Sequence, residues 1–135
     1  MSLQRKVVQT DKAPAAIGPY SQAIVVGDFV FTSGQIPIDP ATGAVPTNEI
    51  SHQADQAMRN LNMVLTEAGS SLENVVKTTC FLADMADFAA FNECYSRYFP
   101  TNPARSCVAV KALPKGVLCE IEAIAVLDPT SRHQK

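Results

Sequence analysis

The hydrophobic and polar residues of this chain follow the strand period in some segments and the helix period in others. Two short apolar runs, 23–26 and 29–33, are separated by Gly27 and Asp28, and this pattern predicts a hairpin. Segment 36–47 holds three prolines and a glycine and predicts an irregular loop. Apolar residues then recur at helical spacing from Ile50 to Ala68, and Gly69 is a natural helix end.

The second half of the chain predicts a strand, a helix and two further strands. Residues 75–82 read as a strand, and Asp87 can cap a helix whose apolar stripe is aromatic. The last two strands, 105–110 and 118–127, are expected to form a hairpin across 113–116. The stripe consists of Phe88, Phe91, Tyr95, Tyr98 and Phe99. Such a stripe is typical of a core rather than of a cofactor site.

This order of elements predicts an α+β fold, in which two helices pack on one face of a mixed β-sheet. Two helices cover only one sheet face, and the other face would carry Val, Ile, Cys and Ala side chains. A large apolar face of this kind predicts a partner, and a second copy of the chain is the simplest one.

Composition limits the classes of protein to which the chain can belong. Its 135 residues predict a single domain over 1–135, with 1–4 and 129–135 expected to be frayed. The content of 47% hydrophobic and 18% charged residues is that of a globular protein. A net charge of -2 offers no basic footprint for nucleic acid or for anionic membranes. No apolar run is long enough to cross a membrane and the first six residues lack a signal-peptide core, so we expect a cytosolic protein.

Metal and cofactor motifs are missing from the sequence. The four cysteines lack the close paired spacing of a zinc site, and the two histidines are far apart. There is no phosphate-binding glycine loop, nucleotide fingerprint or Ser–His–Asp arrangement. We therefore expect no metal and no cofactor, with the thiols free.

Charged residues inside the last two apolar strands are the main candidates for chemistry. Arg105 shares a strand face with Cys107, and it can be either a bidentate clamp for a substrate carboxylate or an ion-pair partner of Glu120 or Glu122. Glu120 or Glu122 can be a general base or a salt-bridged strand residue. The residues alone leave these alternatives open. No histidine lies near Cys107 in the sequence to act as its base, which argues against a nucleophilic role.

Weaker candidates lie in loops and on the second helix. Tyr20 follows a rigid Gly-Pro turn and can face a pocket or be an ordinary surface tyrosine. Ser33 and Gly34 end a strand, where the glycine can allow close approach to a ligand or simply form a turn. Asn92 interrupts the aromatic stripe next to Phe91 and is a further candidate for the cleft.

Five segments, in this order, resemble the RidA family of reactive-intermediate deaminases, also called YjgF/YER057c/UK114. They are AIGPYSQA at 16–23, TSGQ at 32–35, NVVKTT at 74–79, PARSCV at 103–108 and EIEAIA at 120–125. The resemblance covers roughly residues 4–128. One departure is Asn102, where family members usually have an aromatic residue, and the loop 99–103 is about one residue short.

The resemblance implies a chorismate-mutase-like fold and a homotrimer whose sheets line a central barrel, with three sites at subunit clefts. It implies that Arg105 anchors the substrate carboxylate and that Glu120 is the catalytic carboxylate. Substrate-binding roles are likewise implied for Tyr20, Ser33, Gly34, Asn92 and the backbone at Cys107.

The implied activity is cofactor-independent hydrolysis of 2-iminobutanoate and 2-iminopropanoate, which pyridoxal-phosphate dehydratases release. The products are 2-oxo acids and ammonia, and the substrate partner is a small carboxylate. Two alternatives are a ribonuclease or translation inhibitor, which the acidic balance disfavours, and a non-catalytic binder of small carboxylates or chaperone-like protein.

Overall fold

Six strands form one mixed sheet in the computed structural model, which describes residues 4–132. The spatial order is β1-β2-β3-β6-β4-β5, and only β4 and β5 pair in parallel. The strands are β1 (Arg5–Val8), β2 (Ala23–Val26), β3 (Phe29–Thr32), β4 (Val75–Leu82), β5 (Ala104–Ala109) and β6 (Cys119–Val126). The helices are α1 (Ile50–Ala68), α2 (Phe88–Tyr98) and the short α3 (Pro129–Arg132).

The local patterns predicted most of these elements. The β2–β3 hairpin turns at Gly27, whose φ of 59° lies in the left-handed region that glycine adopts without strain. Helix α1 has the predicted bounds, and the backbone N–H of Gly69 closes it by donating to the carbonyls of Leu65 and Thr66. Strand β4 also has the predicted bounds.

Three local predictions were wrong. The last two strands do not form a hairpin, because β4 lies between β5 and β6 and pairs with both. Asp87 makes no capping hydrogen bond, whereas the Asp84 side chain accepts one from the backbone N–H of Ala86 in the turn before α2. Residues 129–132 form the helical turn α3 where a frayed tail was expected. Residues 1–3 and 133–135 of the expected frayed ends lie outside the described residues.

Helices α1 and α2 cover one face of the sheet, as the sequence predicted. The odd-numbered residues of β6 are buried under the helices, whereas the even-numbered ones are only half-buried on the opposite face. That opposite face, called here the open face, exposes large apolar side chains. They include Val7, Phe29, Phe31 and Val108, each between 43% and 56% exposed.

Two buried amides in α1 hold the irregular loop 36–47 against that helix. The Gln53 side chain accepts from the backbone N–H of Leu118 at 2.7 Å and donates to the Thr47 carbonyl at 2.7 Å. The Asn60 side chain donates to the carbonyls of Ile36 and Ile38. Both amides are only 1% exposed, so their hydrogen bonds are needed to offset desolvation. Among the described residues, no helix is both long and apolar enough to span a membrane.

Candidate active site

Arg105 lies on the helix-covered side of the sheet, at the exposed edge strand β5. Its Nη1 donates to the Asn92 side-chain oxygen at 2.6 Å. The guanidinium carbon is 4.7 Å from the ring centroid of Tyr95 and 5.5 Å from that of Phe88, within cation–π range. Helix α2 therefore provides three of the groups that surround this cation, and the prediction that Asn92 faces the same cleft as Arg105 is supported.

The alternative role of Arg105, an ion pair with Glu120 or Glu122, is wrong for the folded chain. Arg105 pairs with Thr78 of β4, whereas Glu120 pairs with Phe81, three positions further along β4. Residues an odd number apart on a strand point to opposite faces. Within residues 4–132 the ion pairs are Arg59–Asp55 and Arg97–Glu93, so Arg105 has no carboxylate partner there. A half-buried arginine without an acid is well suited to bind an external anion.

The backbone of β5 offers unpaired hydrogen-bonding groups beside Arg105. The backbone N–H of Val110 donates to Leu82 of β4, so alternate residues of β5 face β4. Arg105 and Cys107 belong to the other set, and their N–H and C=O groups point outward from the sheet edge. The Cys107 backbone can therefore bond a ligand held by Arg105.

The Cys107 thiol is not set up as a nucleophile. It lies on the same face as Arg105, as predicted, and pairs across the strands with the buried Cys80. Burial raises the pKa of the Cys107 thiol, and the opposing influence of Arg105 is smaller. A thiol with a raised pKa is mostly protonated near neutral pH, which favours a packing role.

Glu120 lies on the open face and packs against Gly34. Burial raises the pKa of the Glu120 carboxyl, and the neighbouring Glu122 raises it further. A carboxyl with this shift is better able to exchange protons near neutral pH. Gly34 is essential to its position, because a Cβ built there would be 1.9 Å from Glu120 Oε2. The glycine thus makes room for the carboxylate, whereas the sequence suggested room for a ligand.

The segment that contains Gly34 has one residue more than the part of β6 opposite it, and this extra residue interrupts the strand pairing. Strand β3 pairs with β6 as far as Phe31, and pairing resumes only at Gln35 opposite Ile121. Between these points the Thr32 hydroxyl accepts from the backbone N–H of Ala123. The Gly34 N–H has no acceptor among the described residues. This bulge-like opening leaves a free donor beside Glu120.

Ser33 links this segment to the loop that carries Tyr20. The Ser33 hydroxyl donates to the Ser21 carbonyl at 2.6 Å, and the Ser33 N–H donates to the Gln22 carbonyl at 2.9 Å. Tyr20 itself is 53% exposed and lines a cleft of about 560 Å³ that contains neither Arg105 nor Glu120. Ser33 thus acts here as a support for the Tyr20 loop, and its hydroxyl is occupied.

The site residues predicted from the sequence therefore form two groups within one chain. The first, called here the arginine half, consists of Asn92, Arg105 and Cys107 on the helix-covered face. The second, called here the glutamate half, consists of Gly34 and Glu120, with the Tyr20 loop linked to this segment through Ser33. Arg105 and Glu120, for which the resemblance implies roles in one reaction, do not share a cleft within a single chain, because the sheet separates them.

Sequence reasoning missed the aromatic and hydroxyl groups that surround Arg105. Tyr95 and Phe88 read only as core residues, although their rings flank the guanidinium. Thr78 is fully buried and bonds the Tyr95 hydroxyl at 2.8 Å. Thr78, a polar residue in the strand beside Arg105, could have indicated a buried hydrogen bond. Its partner, Tyr95, could not be predicted because it depends on how α2 packs on the sheet.

Asn102 lies in the turn that joins α2 to β5. Its φ of 56° is in the left-handed region, which asparagine tolerates better than an aromatic residue does. Its N–H donates to the Phe99 carbonyl at 3.2 Å and closes a tight turn after α2. Among the described residues, no three His, Cys, Asp or Glu side chains form a group able to hold a metal ion.

Comparison with known proteins places the chain in a family. The family model described as Endoribonuclease L-PSP matches residues 10–127. The chain belongs to this family. Membership confirms the resemblance to the YjgF/RidA proteins, since this is the same family.

Individual family members are similar over nearly their whole length. The human 2-iminobutanoate/2-iminopropanoate deaminase is 49% identical over 129 residues, covering 95% of this chain and 94% of that protein. A RutC family protein of Pyrococcus abyssi is 52% identical and covers 91% and 98% of the two chains. The crystal structure of E. coli TdcF with bound serine has a TM-score of 0.87 and 45% identity, covering 91% and 99%.

Proposed function

We propose that this protein hydrolyses 2-iminobutanoate and 2-iminopropanoate to the corresponding 2-oxo acids and ammonia. The observation that carries the proposal is Arg105, a half-buried cation oriented by Asn92 and without a carboxylate partner among the described residues. The name of the human relative supports the reaction, and the serine in E. coli TdcF supports a small amino-acid-like ligand.

The chain's own groups suit each step of this hydrolysis. Arg105 binds the carboxylate through two parallel hydrogen bonds and so places the adjacent C=N carbon. Glu120 accepts a proton from water as the water oxygen bonds to that carbon. Glu120 returns that proton to the nitrogen of the tetrahedral adduct. The adduct's hydroxyl then gives its own proton to the nitrogen as the C–N bond breaks, so that ammonia leaves and the carbonyl of the 2-oxo acid forms. The net reaction adds one water and releases one 2-oxo acid and one ammonia, without a cofactor.

We further propose that two subunits complete each site within a homotrimer. The arginine half and the glutamate half lie on opposite sheet faces, so one chain cannot apply both to a small ligand. The exposed apolar side chains of the open face favour burial against other copies, in line with sheets around a central barrel. Tyr20, at 53% exposure, is then available to close the neighbour's pocket.

A coupled assay tests the reaction. A threonine dehydratase generates the imine, and release of 2-oxobutanoate and ammonia is followed with the wild-type chain, Arg105→Ala and Glu120→Gln. The proposal requires acceleration by the wild type and loss in both variants. A binder of small carboxylates would accelerate nothing and would lose binding only in Arg105→Ala. Cleavage of RNA that survives both substitutions would favour the ribonuclease role that the family description names.

A mixing experiment tests the shared site. When Arg105→Ala and Glu120→Gln chains are co-expressed, random trimers contain intact Arg105–Glu120 junctions at about a quarter of their sites. Activity should then return to about a quarter of the wild-type value, although each variant alone is inactive. A stable monomer in sedimentation at micromolar concentration, or no recovery in mixed trimers, would contradict the shared site.

A further inference from the structure

We infer that Tyr95 and Thr78 are positioning residues for the carboxylate clamp, acting through Arg105 without touching the substrate. The inference rests on the proposed binding role of Arg105 and extends it to groups beneath the guanidinium. It uses the contacts of one chain alone, and it does not depend on the trimer.

One hydrogen-bond partner cannot fix the orientation of a guanidinium group at the edge of a sheet. Arginine has many rotamers, and a single hydrogen bond to Asn92 fixes one nitrogen but leaves rotation about that bond. A second restraint is needed to set the plane of the fork. The Tyr95 ring, 4.7 Å from the guanidinium carbon, provides it.

The Tyr95 ring is itself held in place at its far end. Its hydroxyl and Thr78 Oγ1 are 2.8 Å apart, and Thr78 is fully buried in the strand next to β5. Thr78 is also the β4 residue paired with Arg105. Strand β4 thus pairs with the strand that carries Arg105 and also anchors the Tyr95 ring that lies under it. Thr78 therefore links the position of the Tyr95 ring to the backbone that also positions Arg105.

Burial keeps this support uncharged. Desolvation raises the pKa of the Tyr95 phenol, and the hydrogen bond to Thr78 only partly opposes it. The phenol therefore remains protonated across the pH range in which enzymes work. A phenolate so close to Arg105 would compete with the substrate carboxylate for the guanidinium, and the neutral phenol does not.

Variants of Tyr95 and Thr78, with a matched control on the same helix, test the inference. Tyr95→Leu removes the ring, Tyr95→Phe removes only the hydroxyl, and Thr78→Val removes its partner at nearly constant shape. The control is Tyr98→Phe, which removes a phenol hydrogen bond to Asp55 on α1. Each variant is measured by calorimetry with 2-oxobutanoate, by steady-state kinetics on 2-iminobutanoate and by thermal melting.

We expect Tyr95→Leu to weaken 2-oxobutanoate binding by roughly three- to thirtyfold, the range of a partly desolvated cation–π contact. The KM should rise in parallel and kcat should change less, because the ring does not reach the reacting atoms. Tyr95→Phe and Thr78→Val should each weaken binding by a smaller factor, and the double variant should be no worse than either. Tyr98→Phe should lower the melting temperature without changing the dissociation constant.

Two results would overturn the inference. One is a folded Tyr95→Leu variant that binds 2-oxobutanoate like the wild type, and the other is an equal loss of binding in Tyr98→Phe. A wild-type chain that binds no 2-oxobutanoate would overturn it as well. Failure of the proposed reaction alone would look different. Binding of 2-oxobutanoate would still weaken in Tyr95→Leu, but no imine hydrolysis would be seen.

Discussion

Replacing Gly34 by alanine should abolish most activity while leaving the fold intact. The new Cβ would be 1.9 Å from Glu120 Oε2, 2.7 Å from its Cδ and 3.0 Å from its Cγ. Ordinary contact begins at 3.4 Å, so the carboxylate oxygen must retreat by about 1.5 Å. Misplacing a catalytic group by about 1 Å can cost about a hundredfold in rate. We therefore expect kcat to fall by about two orders of magnitude.

The cost to stability should be small because the clash is with the end of a flexible side chain. Gly34 is not in the left-handed region, so alanine fits its backbone. The loss of unfolded-state freedom stabilises by about 0.4–1 kcal/mol. A displaced Glu120 rotamer costs about 0.5–1.5 kcal/mol. The two nearly cancel, and the free energy of unfolding should change by less than about 1 kcal/mol.

Imine hydrolysis and thermal melting, measured on the same preparations, check this prediction. Gly43→Ala is the matched control, because Gly43 has a φ of 74° and no atom within 4 Å of an added Cβ. It should lose stability from backbone strain but keep its rate. Glu120→Gln should mask the Gly34→Ala effect, since both act on one carboxylate. Wild-type activity in Gly34→Ala, or a loss explained by unfolding, would refute the reasoning.

Four further predictions concern the charged groups and the thiol. Arg105→Lys should lose nearly as much kcat/KM as Arg105→Ala, because lysine lacks the planar fork, and near-native rates on 2-iminobutanoate would make Arg105 a simple charge. Cys107→Ser should keep most activity, and a covalent adduct trapped on this thiol would show that nucleophilic catalysis had been underrated. The raised pKa of Glu120 predicts an acidic limb in the pH–rate profile above the ordinary value of 4.5, and Glu122→Gln should shift it down only partly, because burial is the larger cause. The folded state then holds the Glu120 proton more tightly than the unfolded state, so Glu120→Gln should melt higher than wild type at pH 7. This gain should shrink as the pH falls through the raised pKa of the folded state and be almost gone below 4.5.

Most elements of the fold, although not strand β1, could be predicted from local sequence, which also indicated candidate site residues. Helix α1 ends at Gly69 and strand β4 has its predicted bounds because each depends on neighbouring residues alone. Arg105, Asn92 and the pair Glu120 and Glu122 stood out because charged or polar groups are costly in apolar strands and helix faces, and only the family resemblance selected Glu120 from that pair. The structure supports their environments, with Arg105 bonded to Asn92 and the pKa of Glu120 raised.

The spatial relations among those residues depended on tertiary structure. The sequence favoured a hairpin of the last two strands, but β4 enters between them and fixes Arg105 and Glu120 on opposite faces. Strand order depends on contacts between distant segments, which local periodicity does not record. The same holds for the space that Gly34 leaves for Glu120 and for the Tyr95 ring under Arg105. Each is a contact between residues 10 to 86 positions apart, decided only when the helices and strands pack.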